Sequence, residues 1–255
     1  MEPIMMYVVT HKQASIPDES CYIPIVVGSS KDIHYVKIIR DNTGKNISEK
    51  NPNYCELTAL YWIWKNQSPS IAGFCHYRRY FTTGILAEFK NRVISKEKIE
   101  EFLIKYDIIL PVPWVFKNDT ISEQIIGSSV REDDLQKLRA LIQEKYPNYL
   151  KSYDDVMNGY SISCYNMMIC RKEQLDAYCS WLFDILFDFE KQVDLNDRSD
   201  YEKRIFGFLS ERLLNVWVKQ NDLRVKYLHV LETENKKNAF TILKNRIKGL
   251  KWTLS

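Results

Sequence analysis

The sequence predicts a three-layer α/β domain, in which a sheet lies between layers of helices. Short apolar runs bounded by turn residues, such as 5–10, 22–27 and 71–75, are typical of buried strands and dominate the first half of the chain. Longer segments with apolar residues three or four positions apart are typical of helices. The longest of these, 172–192 and 198–220, make the second half rich in helix.

Each element is predicted from its own stretch of sequence. Strands are expected at short apolar runs: 5–10, 22–27, 71–75, 107–111, 161–170 and 223–231. Helices are expected where apolar residues recur at helical spacing: 52–66, 96–106, 132–146, 148–157, 172–192 and 198–220. No repeat, low-complexity block or linker divides these elements, so we expect one domain over 1–231.

Composition narrows the class of protein. The 255 residues, 45% hydrophobic and 27% charged, are enough for a substantial core. A net charge of +3 is too small to indicate a nucleic-acid partner, and none is expected. The six cysteines form no C-x-x-C pair, which favours reduced, buried thiols over disulfides or zinc ligands. Neither a signal peptide nor a transmembrane run is predicted, so a cytoplasmic protein is expected.

The last part of the chain, 232–255, is predicted to be a basic amphipathic tail. Its apolar residues recur at helical spacing between many lysines and arginines, and Trp252 lies near its end. This pattern is typical of a helix at a membrane surface, but it also fits a terminal helix packed on its own domain. Both interpretations stay open.

Polar side chains gather where predicted strands end, which is where open α/β sheets bind ligands. In the segment 73–81, an apolar run leads directly into His76, Arg78 and Arg79 with aromatic neighbours. Guanidinium groups suit phosphate because they donate paired, charge-assisted hydrogen bonds. A surface arginine pair beside a core histidine is the structural alternative.

Several catalytic motifs are absent from the sequence. There is no D-x-D pair to chelate a metal with a diphosphate, no H-x-x-x-H spacing, no phosphate-binding loop and no G-x-S-x-G elbow. We therefore expect a site that needs no metal, with arginine and lysine at the phosphates, although a divalent metal is not excluded.

An acid/base group is predicted in the helix at 198–220. Arg204 and Glu211 are seven positions apart and would share a helix face, next to Phe208. A carboxylate on an aromatic-lined face can have a raised pKa and act as a general base. A structural ion pair of Glu211 with a neighbouring arginine is the alternative. Asn166, within an apolar run, must be hydrogen-bonded either to a ligand or to its own fold.

Four blocks of sequence resemble a known family. They are Asp41–Ser48 running into Asn53–Thr58, Cys75–Phe81, Asn166–Met167 before Tyr178–Phe183, and Phe206–Leu214. In order, and over about residues 4 to 230, these blocks resemble the family named domain of unknown function 4422. That family occurs in capsule, exopolysaccharide and O-antigen gene clusters, and its members are assigned as inverting galactofuranosyltransferases.

The resemblance implies a GT-A-like glycosyltransferase with a Rossmann-type nucleotide-binding half. The donor would be UDP-galactofuranose and the acceptor a glycan, lipid-linked through undecaprenyl or growing, at the inner face of the membrane. A non-catalytic nucleotide-sugar or glycan-binding domain is the alternative. Nucleotidyl transfer is disfavoured because no paired-carboxylate metal motif is present.

Roles are assigned by position and chemistry within this resemblance. Glu211 is the expected catalytic base, with His76 second. The residues expected at the donor are Thr10, His11 and Lys12 at the nucleotide, Asp41, Asn42 and Thr43 at uracil or ribose, Arg78 and Arg79 at the diphosphate, and Glu56, Asn166 and Arg204.

Overall fold

A mixed sheet forms the centre of the protein. The computed structural model describes residues 3–28, 33–35, 38–83, 93–126 and 128–234. Most of the predicted tail, 235–255, lies outside these ranges. The strands are β1 Ile4–Thr10, β2 Tyr22–Val26, β3 Ile39–Arg40, β4 Ile71–His76, β5 Arg79–Thr82, β6 Ile108–Pro111, β7 Trp114–Val115, β8 Ser161–Ile162, β9 Met168–Arg171 and β10 Val225–Glu232.

Helices occupy most of the remaining described chain. They are α1 Asn51–Tyr54, α2 Leu57–Asn66, α3 Lys96–Lys105, α4 Ile121–Ile126, α5 Glu132–Lys145, α6 Leu150–Met157, α7 Lys172–Glu190 and α8 Ile205–Gln220. Short 3₁₀ turns occur at Ser48–Lys50, Pro147–Tyr149 and Glu202–Arg204. Helices α3, α5, α6 and α7 lie where the sequence predicts them, within two residues at each end.

Eight of the ten described strands form one sheet, in the order β3-β2-β1-β4-β5-β10-β6-β9. The first four of these run parallel to one another. Strand β10 is antiparallel to β5 and parallel to β6, and β9 is antiparallel to β6 and to the first part of β4. Strands β7 and β8 pair separately as a short antiparallel ribbon. The parallel half is thus built from the early apolar runs.

Alternate side chains of β1 enter hydrophobic clusters on opposite faces of the sheet, because successive residues of a strand point to opposite sides. Tyr7 and Val9 pack with α2, α7 and α8 in the larger cluster. Met6 and Val8 pack on the other face, with α3. Both faces of the sheet are therefore covered, and the predicted three-layer arrangement is confirmed.

Three predicted elements are interrupted. The helix expected at 52–66 divides into α1 and α2 because Cys55 has a φ of 52°. The strand expected at 161–170 divides into β8 and β9 because Tyr165 and Asn166 have φ values of 79° and 53°. The helix expected from residue 198 begins only at Ile205, after a 3₁₀ turn. In each case a main-chain turn breaks an otherwise regular apolar pattern.

No helix in the described ranges combines the length and the apolar character needed to cross a membrane.

Candidate functional site

The polar residues predicted at strand ends lie along one edge of the sheet. Strands β1, β2 and β4 are parallel, so their carboxyl ends fall side by side: Val9 is paired with His76, and Thr10 with Val26. The turn 41–43 follows β3, which is parallel to β2, and therefore lies at the same edge. Open α/β sheets bind their ligands at this edge.

A basic rim, formed by His11, Lys12 and Arg78, lines part of this edge. Nζ of Lys12 lies 2.7 Å from Oε1 of Glu234, and Nη1 of Arg78 lies 3.9 Å from Oε2 of the same carboxylate. The rings of His11 and Tyr77 meet edge to face, with centroids 5.3 Å apart. Two cations that share one carboxylate can bind the oxygens of a phosphate in the same way.

Charges from several segments act on the imidazole of His11. Burial lowers the pKa of His11, and the charges of Lys12 and Arg78 lower it further, while Glu234 opposes them. Arg204, from the turn before α8, acts in the same direction as Lys12 and Arg78. The positive charge at this edge therefore includes residues from both ends of the sequence, and it favours an anionic ligand.

Strand β4 changes its neighbour at this edge. Residues 71–74 pair with β9, whereas His76 pairs with β5. Just before β9, Tyr165 and Asn166 both adopt left-handed backbone conformations. Asn tolerates this region better than most residues, but Tyr rarely adopts it. Such backbone strain concentrates at functional sites, and this turn is the scaffold of a group that we call the carboxylate centre: Glu56, His76, Tyr165, Asn166 and Glu211.

Within the carboxylate centre, Asn166 connects Glu56 to α8. Its Nδ2 donates hydrogen bonds to Oε1 of Glu56 at 2.8 Å and to the carbonyl of Gly207 at 3.1 Å. Its Oδ1 accepts one of 3.0 Å from the hydroxyl of Ser210. The side chain is buried. The amide of Asn166 is therefore hydrogen-bonded to its own fold, and it fixes the Glu56 carboxylate at the start of α2.

Glu211, on α8, is held by two donors. Its Oε1 accepts a 2.7 Å hydrogen bond from the main-chain N–H of Tyr165, and its Oε2 accepts one of 2.8 Å from Nη1 of Arg212. Burial raises the pKa of Glu211 and the charge of Glu56 adds to this, while Arg212 and Arg79 oppose it. The contact with Arg212 is the ion pair that the sequence left open. A carboxylate has about four lone-pair positions, and these two hydrogen bonds occupy two of them. The other two positions can accept a hydrogen bond or a proton from a ligand.

His76, the last residue of β4, contacts the main chain of Tyr165 in the carboxylate centre. Its Nε2 lies 2.6 Å from the carbonyl oxygen of Tyr165. Because a carbonyl only accepts hydrogen bonds, Nε2 carries the proton in this contact and Nδ1 is the basic nitrogen of a neutral ring. Burial lowers the pKa of His76, although the charge of Glu56 opposes this effect. A neutral His76 at pH 7 is consistent with its predicted place as second candidate base.

Arg79 joins the basic rim to the carboxylate centre. Its guanidinium carbon lies 4.2 Å from the centroid of the Tyr165 ring, a cation–π distance. Its Nε is 4.0 Å from Oε1 of Glu232 and, within the described part of the chain, has no hydrogen-bond partner. A buried N–H without a partner is uncommon, so the protein satisfies the guanidinium of Arg79 only in part.

Arg204 lies in the turn before α8, whereas the sequence predicts it within the helix that carries Glu211. It belongs to the 3₁₀ turn before α8, and its Nε donates to Sγ of Cys55 at 3.2 Å. Its guanidinium carbon is 5.5 Å from the ring centroid of Phe208. Burial opposes the charged form of Arg204, but the hydrogen bond to Cys55 and the charge of Glu56 outweigh it, so the pKa of Arg204 is raised. Arg204 therefore interacts electrostatically with both the basic rim and the carboxylate centre.

Two hydroxyls predicted at the donor are hydrogen-bonded within the protein. The Thr10 hydroxyl donates to the carbonyl of Lys12 and accepts from its main-chain N–H. The Thr43 hydroxyl donates to the carbonyl of Arg40 at 3.1 Å and accepts from Nε1 of Trp62 at 3.0 Å. These bonds fix the loops after β1 and β3. Contacts of either threonine with a nucleotide-sugar donor stay a prediction.

The turn after β3 places Asp41 inside and Asn42 outside. Asp41 is buried and accepts a 2.6 Å hydrogen bond from the Ser48 hydroxyl. Burial raises the pKa of Asp41, and hydrogen bonds including that of Ser48 oppose this. Asn42 is exposed. A contact of this turn with uracil or ribose is therefore more accessible to Asn42 than to Asp41.

Sequence reasoning missed Tyr165 and Glu234. A Tyr-Asn pair inside an apolar run is a weak signal for the left-handed turn, because Asn is one of the few residues that tolerate it. No sequence signal indicates that Glu234 contacts Lys12, since the two lie at opposite ends of the chain. Within the described ranges, no group of three or more His, Cys, Asp or Glu side chains is placed to hold a metal ion.

Comparison with known proteins identifies the family. Residues 5–222 match the family described as Domain of unknown function (DUF4422). The protein belongs to this family. Among solved structures, it is similar to an apo structure of WbbM, described as a bifunctional glycosyltransferase, with a TM-score of 0.80 and 27% sequence identity. No curated protein matches the chain.

This member of the DUF4422 family has the α/β fold that the resemblance implied, and the fold is GT-A-like. The similarity covers 91% of this chain and 45% of the WbbM chain. The protein therefore spans less than half the length of that structure.

Proposed function

We propose that this protein is a glycosyltransferase that moves a sugar from a UDP-sugar donor to a glycan acceptor. The observation that carries the proposal is the adjacency of the basic rim and the carboxylate centre, which Arg79 and Arg204 join. A sugar diphosphate needs cations at its phosphates, and an attacking hydroxyl needs a base. The similarity to a protein described as a bifunctional glycosyltransferase supports the same activity.

The donor in this proposal is UDP-galactofuranose, as implied by membership of the family. Lys12, Arg78 and Arg79 bind the diphosphate and stabilise the negative charge that develops on it as it leaves. His11 lies at the nucleotide beside them, and Asn42 is the accessible hydrogen-bonding group of the turn after β3. The donor's sugar then faces Tyr165 and the carboxylate centre.

The reaction in this proposal is a single displacement with inversion. A hydroxyl oxygen of the acceptor attacks C1 of the donor sugar from the face opposite UDP, while Glu211 takes the hydroxyl proton. The bond between C1 and the diphosphate oxygen breaks, and its electron pair leaves with UDP. The raised pKa of Glu211 makes its carboxylate a better proton acceptor than an exposed one.

The acceptor in this proposal is a lipid-linked or growing polysaccharide at the inner face of the membrane. The basic amphipathic sequence at 236–255 supports this location, since such helices bind anionic lipid surfaces. Deletion of 236–255 should release the protein from anionic liposomes and leave donor turnover intact. Undiminished liposome binding after the deletion contradicts this part of the proposal.

The experiment that tests the proposal is a donor assay with the purified protein. UDP release is measured from UDP-galactofuranose, UDP-galactopyranose and UDP-glucose, with and without EDTA. Turnover of the furanose donor that survives EDTA is expected. Turnover lost with EDTA contradicts the metal-free site, and turnover only with a pyranose donor contradicts the donor. Tight UDP binding without turnover of any donor, also when a glycan acceptor is supplied, indicates a binding domain.

A further inference from the structure

The ribbon of β7 and β8 exposes large aromatic side chains. Trp114 and Tyr160 are each 52% exposed. Trp114 is paired with Ile162, and the main-chain N–H of Phe116 donates to the carbonyl of Tyr160 at 2.8 Å. Residues directly opposite each other in a ribbon share a face, and alternate residues along a strand also share one. Trp114 and Tyr160 therefore lie on the same face of the ribbon.

This aromatic face is continuous with the carboxylate centre. The rings of Trp114 and Tyr165 meet edge to face, with centroids 6.1 Å apart. The main chain of Tyr165 donates to Glu211 and accepts from His76. The guanidinium of Arg79 is a further neighbour of the Tyr165 ring. Contacts thus lead from Arg79, which follows Arg78 of the basic rim in the sequence, through Tyr165 to Trp114.

The chemistry of this face suits a sugar ring. A sugar has an apolar face of C–H groups, which stacks on an indole, and a rim of hydroxyls, which needs polar partners. An exposed aromatic ring provides the first, and the adjacent carboxylate centre provides the second. The Tyr165 ring contacts both Arg79, the neighbour of Arg78 in the sequence, and Trp114. The donor's phosphates are thereby assigned to the rim, which leaves the Trp114 side for an uncharged ring.

We propose that Trp114 and Tyr160 form a subsite for the acceptor sugar, with Trp114 stacked on the ring whose hydroxyl attacks the donor. This inference rests on the proposed glycosyltransferase function and adds the place of the second substrate. Tyr165 positions the two substrates relative to each other, because its ring separates Arg79 from Trp114 and its main chain holds Glu211.

The test uses sugar probes whose binding does not depend on turnover. Octyl glycosides of β-galactopyranose, β-glucopyranose, α-mannopyranose and β-N-acetylglucosamine are titrated into the UDP-saturated protein, and affinity is measured by saturation-transfer NMR. Trp114→Ala should weaken binding of the best probe about tenfold, while Trp114→Phe, which keeps an aromatic face, should stay within about threefold.

The matched control is Val115→Ala. Val115 is 54% exposed, as accessible as Trp114, but it lies on the opposite face of the same ribbon. This variant should bind the probes as the wild type does, and all variants should bind UDP equally.

Three outcomes overturn the subsite: equal binding by Trp114→Ala and the wild type, an equal loss in Val115→Ala, or no binding of any probe by the wild type. A change of sedimentation in Trp114→Ala without a change in probe affinity also overturns it, and indicates a contact between copies of the protein.

Hydrolysis of UDP-galactofuranose in water tests the proposed function separately. It should proceed at the wild-type rate in Val115→Ala.

Discussion

The side-chain amide of Asn166 donates a 2.8 Å hydrogen bond to Oε1 of Glu56, and this bond joins the turn before β9 to the start of α2. The residue before it, Tyr165, donates its main-chain N–H to Glu211 on α8. One left-handed turn therefore holds two carboxylates from two different helices.

Asn166→Ala should lower the free energy of unfolding by about 2–3 kcal/mol. The change removes the hydrogen bonds to Glu56 and Ser210, and it places an alanine at a φ of 53°. Chemical denaturation measures the loss. Asn42→Ala, at an exposed site, is the control and should change stability little. An equal stability of Asn166→Ala and the wild type would contradict the role of this amide.

Glu56→Gln should move the acid limb of the kcat/KM profile to lower pH. A base must be deprotonated, so activity falls as the pH drops through the pKa of Glu211. The negative charge of Glu56 raises that pKa, in addition to burial, so its removal lowers the pKa. The pH profile of UDP release measures the shift. Asp200→Asn, at a fully exposed carboxylate, should leave the limb unchanged. A limb that moves upward, or does not move, is inconsistent with this coupling.

Lys12→Ala and Arg78→Ala should each weaken UDP binding about tenfold, because each removes a charge-assisted contact to phosphate. The affinity of the wild type should also fall as salt is added. Calorimetric titration with UDP measures both effects. Lys151→Ala is the matched control, since the Lys151 side chain is 84% exposed and pairs with Asp155 away from this edge. An equal loss in Lys151→Ala would show that general charge, and not the basic rim, sets the affinity.

Glu234→Gln should strengthen UDP binding about two- to fivefold, the scale of an exposed ion pair. The Glu234 carboxylate contacts the same Lys12 and Arg78 that we assign to the diphosphate. Its charge therefore competes with the phosphates for these cations. The same titration measures the gain. Glu232→Gln, at the last residue of β10 and beside Arg79, provides a second carboxylate for comparison. Weaker binding by Glu234→Gln would mean that Glu234 holds the cations in position for the ligand.

The sequence predicts much of this fold because apolar runs and helical spacing depend on burial. Strand β4 and helices α3 and α7 follow directly from that pattern. The turn at Tyr165 and Asn166 does not follow from that pattern, because a left-handed backbone conformation does not change which residues make up an apolar run. The break at Cys55 is hidden in the same way.

The candidate site is predictable only in part. The basic rim is visible in the sequence because Lys12 and Arg78 follow apolar strands. Contacts that join distant segments, such as that between Glu234 and Lys12, leave no local pattern. Arg204 lies in a 3₁₀ turn before α8 and not within the predicted helix, because spacing alone does not distinguish the two conformations.

The most direct test of this account compares the wild type with Glu211→Gln. UDP release from UDP-galactofuranose and the affinity for UDP are measured on both, with thermal unfolding to confirm that the variant is folded. The Glu211 side chain is 18% exposed. It belongs to the carboxylate centre and is not one of the residues that we assign to the diphosphate, so UDP affinity should be unchanged. Turnover should fall at least about 100-fold because the base is lost. Wild-type turnover by a folded Glu211→Gln variant would contradict the assignment of Glu211 as the catalytic base.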